Sequence, residues 1–317
     1  MAQSLTEILA TQAVYADLSD TGLIAFQGDD TTAFLQGQLT NDARQLSQRR
    51  VQYSGFCSPK GRLLGNFLLW QHAGSTYLQL AAELQPVLQK RLSMYILRSR
   101  VKARDAREEW LRVGIAGHNA AGVVKTLTGC ALDADMQTAE AGQMSVIRLA
   151  SERYQLIAPA ADRDGLLAEL TQHASVIDMN QWQWLEIRAG IPTIVAATQE
   201  QFVPQMVNFD LTNSVNFQKG CYTGQEIVAR TQYLGKLKRR MYLVHSDATM
   251  AAGDEIYSPE MEGQAMGMVV NAQPAPAGGW DALAVLQISS VASGQPLHLQ
   301  SLEGALLTLQ DLPYAVS

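Results

Sequence analysis

The sequence predicts an α+β chain that ends in a small all-β domain. Up to about residue 240, short strand-like runs are interleaved with amphipathic helix patterns, which argues for mixed layers rather than a doubly wound sheet. No GxGxxG follows a strand and there is no Walker A loop, so a nucleotide fold is not indicated. After Arg240 helix patterning becomes scarce, and short strands alternate with Gly, Pro and Asp.

Residues 22–26 read as a strand, and Asp29-Asp30 leads into a helix carrying Ala33, Phe34, Leu35 and Leu39 that ends near residues 40–42. Residues 52–56 and 65–70 form a strand pair about a Pro59-Lys60-Gly61 turn. A strand follows at 77–81, and Pro86 suits the first turn of a helix reaching about Tyr95. Two strand–helix pairs come next, 111–117 into 120–127 and 153–158 into 164–172. Past Arg240 the strand candidates are 242–245, 255–257, 265–271, 282–288 and 305–309, enough for a barrel or sandwich.

At 317 residues, 47% hydrophobic and 17% charged, the chain has the composition of a soluble protein with two or three domains. A formal net charge of −6 gives no global drive toward nucleic acid or membrane, so an anionic partner needs a local basic patch. Cys57, Cys130 and Cys221 are scattered and form no CxxC pair. That favours a reducing compartment and rules out a four-cysteine metal or iron–sulfur site within one chain. The histidines at 72, 118, 173, 245 and 298 show no ligand spacing, so no metal is expected. The first seven residues lack a basic segment followed by a long apolar run, and no stretch approaches about 18 apolar residues. The expectation is a cytoplasmic protein.

The chemistry concentrates in Lys219-Gly220-Cys221-Tyr222-Thr223-Gly224-Gln225-Glu226. Thr223 and Glu226 fit a capping box, which places Cys221 just before a helix N-terminus. Helix dipoles and Lys219 both favour thiolate there, while a cysteine filling a small apolar gap is the plainer alternative. The residues alone leave both readings open.

Two basic runs are candidates for anion binding. Arg98, Arg100, Lys102 and Arg104 alternate with smaller residues and share one face if extended; the same row also suits a solvated, aggregation-resistant sheet edge. Residues 236–240, Lys-Leu-Lys-Arg-Arg, form the second run. Trp182 and Trp184 point to different sides of a helix, so one suits a core and the other a cleft where a flat heterocycle stacks, with core burial the better reading from the residues alone.

The run 219–230, KGCYTGQEIVAR, resembles the signature of the YgfZ family of folate-binding, aminomethyltransferase-like proteins. Supporting segments agree in order: Gly28-Asp29-Asp30 through Phe34-Leu35-Gln36-Gly37-Gln38, residues 57–62, Ala189-Gly190-Ile191-Pro192, and Phe202-Val203-Pro204-Gln205 with Asn208. The resemblance spans essentially the whole chain. It implies a ring-like region of interlocked α+β subdomains over residues 1–240, with a subdomain inserted at roughly 50–110, and a β-barrel over 241–317. It also implies tetrahydrofolate or a one-carbon derivative as ligand, and iron–sulfur client enzymes, some of them tRNA-modifying, as partners.

On that basis Cys221 and Lys219 are the chemical candidates, and Trp182, Tyr222, Gln225, Glu226 and Arg100 the folate-contact candidates. Thr21 stands about where the family has its other folate tryptophan, and Arg188 where many relatives have a glutamate. The implied function is an accessory role in maturation or repair of iron–sulfur enzymes, with or without weak catalysis. A tetrahydrofolate-dependent aminomethyltransferase is the alternative. Direct nucleic-acid binding is disfavoured by the acidic total charge.

Overall fold

A computed structural model describes residues 4–316. Met1–Gln3, part of the stretch read for a leader, and Ser317 lie outside the described residues. The chain forms two compact units.

The first unit takes in the chain up to Leu35, Ala43–Tyr53 and Phe67–Trp182. Its six-stranded sheet runs in the order Ser175–Val176, Ala13–Asp17, Trp110–Gly117, Arg153–Pro159, Met144–Leu149, Thr138–Ala141. All neighbours are antiparallel except the first pair. Alternation along Arg153–Pro159 sorts its side chains. Tyr154, Leu156 and Ala158 enter an apolar core with Val113 and Ile115, under the helices Ala120–Thr128 and Arg163–Leu170. Arg153 and Gln155 therefore face the other side, where Gln155 Nε2 donates to Gln79 Oε1 at 2.7 Å.

A second sheet has the order Gln52–Cys57, Leu63–His72, Ser75–Leu80, Gly22–Gln27, Lys102–Asp105. The helix Gln85–Met94 follows it with Pro86 in its first turn, as expected, and Gln85 Oε1 accepts the Leu23 N–H at 2.7 Å.

The second unit comprises Gln36–Asp42, Ser54–Asn66 and the chain from Gln183 onward. Its barrel closes in the order Arg239–Ser246, Trp280–Gln287, Ala265–Pro274, Glu255–Tyr257, Leu297–Leu299, Leu306–Gln310. Closure leaves no unpaired edge. Val244, Ile256, Met266, Val269 and Leu286 fill its interior.

The α+β class, the strand–helix pairs and the closing barrel match the sequence expectation. Five strands among the described residues were not anticipated: Ala13–Asp17, Thr138–Ala141, Met144–Leu149, Ser175–Val176 and Leu297–Leu299. The extended row of cations at 98–104 is corrected, because the strand begins only at Lys102. Arg100, on the preceding turn, pairs with Asp29 at 2.9 Å and Asp30 at 3.1 Å, and Arg104 pairs with Glu109. The Arg100 guanidinium holds the Asp30 carboxyl below its ordinary range.

The second basic run is likewise not an exposed cluster throughout. Arg240 is buried and clasps Asp210 through two hydrogen bonds, at 2.6 and 2.8 Å, while Nη1 also donates to the Gln205 carbonyl at 3.1 Å. Asp210→Ala leaves that guanidinium buried and uncompensated, which costs about 3–5 kcal/mol. The urea midpoint of the variant is expected to fall accordingly; an unchanged midpoint contradicts this account of the pair.

Candidate functional site

The thiol loop is built within the second unit on one buried cation, the segment 36–42 and the turn after Cys57. Lys219 is only 5% exposed. Its Nζ donates to the carbonyls of Gln36 at 2.7 Å, Leu39, and Asn41 at 3.0 Å, at and just beyond the end of the helix Thr31–Gln38. Carbonyls at a helix C-terminus lack intrahelical donors and carry partial negative charge, so a buried ammonium suits them. Nearby, the Thr40 hydroxyl donates to the Ser214 carbonyl at 2.8 Å, and Asn41 Nδ2 donates to that of Asn213 at 2.7 Å. Residues 36–42 are thereby tied to the approach to the thiol loop.

The second element is the turn after Cys57. Ser58 N–H donates to the Arg62 carbonyl and Gly61 N–H to that of Ser58, both at 2.8 Å. This turn packs on Gly224, whose φ is +83°; a Cβ there would lie 2.4 Å from the Ser58 oxygen and 2.9 Å from the Gly61 Cα. Gly61, at φ +70°, is equally closed, with Ile227 Cβ 2.8 Å from where its own Cβ would stand. Only glycine tolerates this approach and these angles.

The contact explains one correction. The Thr223–Glu226 capping box does not form, because the helix begins at Gln225 with left-handed Gly224 as its N-cap and no side-chain cap. Glu226 instead lies exposed in the first turn. Gln225 N–H donates to the Tyr222 carbonyl at 3.1 Å, and its Nε2 reaches the Lys219 carbonyl at 3.5 Å. Downstream, Gln205 Nε2 donates to the Val228 carbonyl at 2.8 Å and fixes the helix Gln225–Tyr233 from below.

On this frame Cys221 is exposed, while Tyr222 turns inward with the Lys219 ammonium 4.9 Å from its ring centre. Burial raises the Tyr222 phenol above its ordinary range, and the neighbouring Cys57 adds to the shift. Cys57 is fully buried, and desolvation pushes its thiol up to about 12. Cys57 therefore stays protonated through physiological pH, since its charged form is reached only as pH approaches that value. Lys219, expected to act on Cys221 directly, is turned toward the helix-end carbonyls.

The remaining candidates belong to the first unit. Trp182 is 2% exposed, and a Cβ on Gly114 would come within 2.6 Å of its ring, so the indole lies flat on the strand Trp110–Gly117. The Arg153 guanidinium carbon is 5.8 Å from the Trp182 ring centre. Trp184, the other side of the same helix, is also buried and donates to Asp281 Oδ2 at 2.8 Å. Neither indole offers the open cleft face that the sequence allowed for one of them. Sequence reasoning missed Arg153 and Gly114. A charged residue opening the apolar run Arg-Tyr-Gln-Leu-Ile-Ala at 153–158 was the available signal for the first; the second had none.

A family model described as the GCVT N-terminal domain matches residues 4–146. The tRNA-modifying protein YgfZ of Sodalis glossinidius is 31% identical over 305 residues, covering 94% of this chain and 92% of the relative. The chain belongs to the YgfZ family. The YgfZ protein of Photorhabdus laumondii is 33% identical over 311 residues, with 95% of this chain and 92% of that one aligned. Among solved structures, the glycine cleavage system aminomethyltransferase T of Bartonella henselae superposes with a TM-score of 0.78 at 18% identity. That match covers 97% of this chain and 87% of the other, and it shows a shared fold alone.

Two measurements check the loop. Alkylation of the native protein near pH 8 is expected to modify Cys221 and to spare Cys57 until denaturant is added; equal labelling of both contradicts the burial described. Lys219→Met removes the shared donor of several buried carbonyls and is expected to cost about 2–4 kcal/mol. An unchanged urea midpoint in that variant means the ammonium does not hold the loop.

Proposed function

We propose that this YgfZ-family chain is a cytoplasmic, folate-binding accessory protein for maturation or repair of iron–sulfur enzymes, through which it acts on tRNA modification. The observation that carries the reading is the exposed Cys221 on a loop pinned by Lys219 and the paired glycines. A mere space-filling cysteine has no need of exposure, and an exposed thiol has no need of so constrained a loop unless its position matters. Support for the tRNA connection is the name its relatives carry, tRNA-modifying protein YgfZ.

Among the described residues no group of three or more His, Cys, Asp or Glu can hold a metal ion. One cysteine does not retain a cluster by itself. In this reading Cys221 supplies one thiolate to a cluster that the client enzyme otherwise holds, and the cluster is cargo rather than a resident group. Tyr222, Gln225 and Lys219 serve by shaping the loop, and Glu226 adds an exposed carboxylate at the helix start. No described helix is long and apolar enough to cross a membrane.

The residues of the first unit fit a folate in kind. Trp182 provides a flat aromatic partner, and Arg153 beside it has Nη1 and Nη2 buried without any hydrogen-bond partner. A bound folate brings one-carbon chemistry; the protein's part is to orient and shelter it. Arg100, already paired with Asp29 and Asp30, is available to a folate tail only by exchanging those partners.

The test is complementation of cells lacking the native protein. Cys221→Ser is expected to abolish rescue of a dependent iron–sulfur tRNA-modifying enzyme while folding stays within about 0.5 kcal/mol of the parent, as for an ordinary surface change. Full rescue by Cys221→Ser would sink the thiol role.

A further inference from the structure

Among the described residues three arginines are buried, and two are plainly structural. Arg112 gives its terminal nitrogens to the carbonyls of Arg107, Trp110, Ser19 and Thr21, at 2.6–3.3 Å. Arg240 gives its own to Asp210 and the Gln205 carbonyl. In both, only Nε goes unpartnered. Arg153 shows the reverse pattern. Its Nε donates to the Ala150 carbonyl at 3.2 Å, while Nη1 and Nη2 meet no acceptor and are sealed from solvent.

A guanidinium that is 2% exposed with its fork unmet is costly to keep. The Trp182 ring offsets a part, since a cation over an aromatic face is worth about 0.5–2 kcal/mol. Leaving a buried charge uncompensated costs more, about 3–5 kcal/mol. The surroundings also specify what the fork faces. Gln155 lies directly opposite Gly114 across the paired strands, and Arg153, two residues before Gln155, shares that face. Gly114 is the floor on which the Trp182 indole rests. The polar side of the sheet thus holds, within one corner, a flat aromatic ring laid on a glycine floor and an unmet planar donor pair.

We propose that Arg153 is a ligand-binding residue whose Nη1 and Nη2 donate to an acceptor oxygen of a ligand that carries a flat heteroaromatic ring against Trp182. The inference rests on the folate reading and adds a recognition residue to it. Two groups on a folate have the required chemistry, the ring carbonyl and the carboxylates of the glutamyl tail. The guanidinium turns toward the entering ligand and exchanges an unmet state for a charge-assisted pair, which no other described residue offers it. Loss of such a pair corresponds to about 10–100-fold in affinity.

The experiment is titration of tetrahydrofolate by calorimetry and tryptophan fluorescence, on the native chain, Trp182→Phe, Arg153→Gln and Arg153→Met. Thermal unfolding of each unliganded protein is recorded alongside. Arg153→Gln and Arg153→Met are expected to weaken binding about 10–100-fold while the unfolding temperature holds or rises, because an unmet buried charge has been removed. A tetrahydropterin without the aminobenzoyl-glutamate portion separates the acceptors. If the penalty persists with it, Arg153 reads the ring carbonyl; if it vanishes, Arg153 reads the tail carboxylate. Equal affinities of native and Arg153→Gln proteins overturn the assignment to Arg153 and leave the folate reading standing. Absence of binding by the native protein overturns both. A fall in unfolding temperature in both Arg153 variants that matches the loss of binding makes Arg153 structural and also overturns the proposal.

Discussion

The second unit depends on one buried ammonium. Lys219 reaches back across about 180 positions of chain to the end of an early helix and donates to the carbonyls of Gln36, Leu39 and Asn41. Desolvating a lysine is expensive, but hydrogen bonds from a charged donor are worth about 1.5–3 kcal/mol each, so several together offset the burial. The same ammonium lies over the Tyr222 ring, and the Lys219 carbonyl receives Gln225. What this lysine contributes to the thiol two residues later is the placement of its loop.

That role shows what the sequence could and could not reveal. Strands such as 153–159 and helices such as 120–128 were legible because local apolar periodicity decides them. Thr138–Ala141 and Leu297–Leu299 were not, since short strands with mixed burial owe their conformation to neighbours. The capping signal illustrates the same limit. Ser4 and Glu7 do form a reciprocal capping box, unremarked in the sequence, whereas Thr223 and Glu226 have the same spacing and do not. Nothing local separates the two cases. The approach of the Ser58–Gly61 turn does, by drawing Gly224 into the cap position.

The candidate site was legible in its residue types more than in their roles. Cys221 stands ahead of a helix, as expected, and it is exposed, which the residues alone had left open. Lys219 was credited with an electrostatic effect and has a scaffolding one. Burial and, after it, the neighbouring Cys57 raise the Tyr222 phenol, which links the two cysteine-bearing motifs through the tyrosine. Arg153 escaped notice because a cation at a strand start looks like any solvated terminus; only its missing partners set it apart from Arg112 on the adjacent strand.

The contact between Gly61 and Gly224 has a consequence for how this chain can change. Each glycine occupies the space in which the other's side chain would have to stand, so neither position is free to drift by itself. A methyl group at one forces both turns apart, shifts the start of the thiol-bearing helix and reopens the choice of cap. Replacing both adds a second clash and does not relieve the first, so the two positions are held to glycine together.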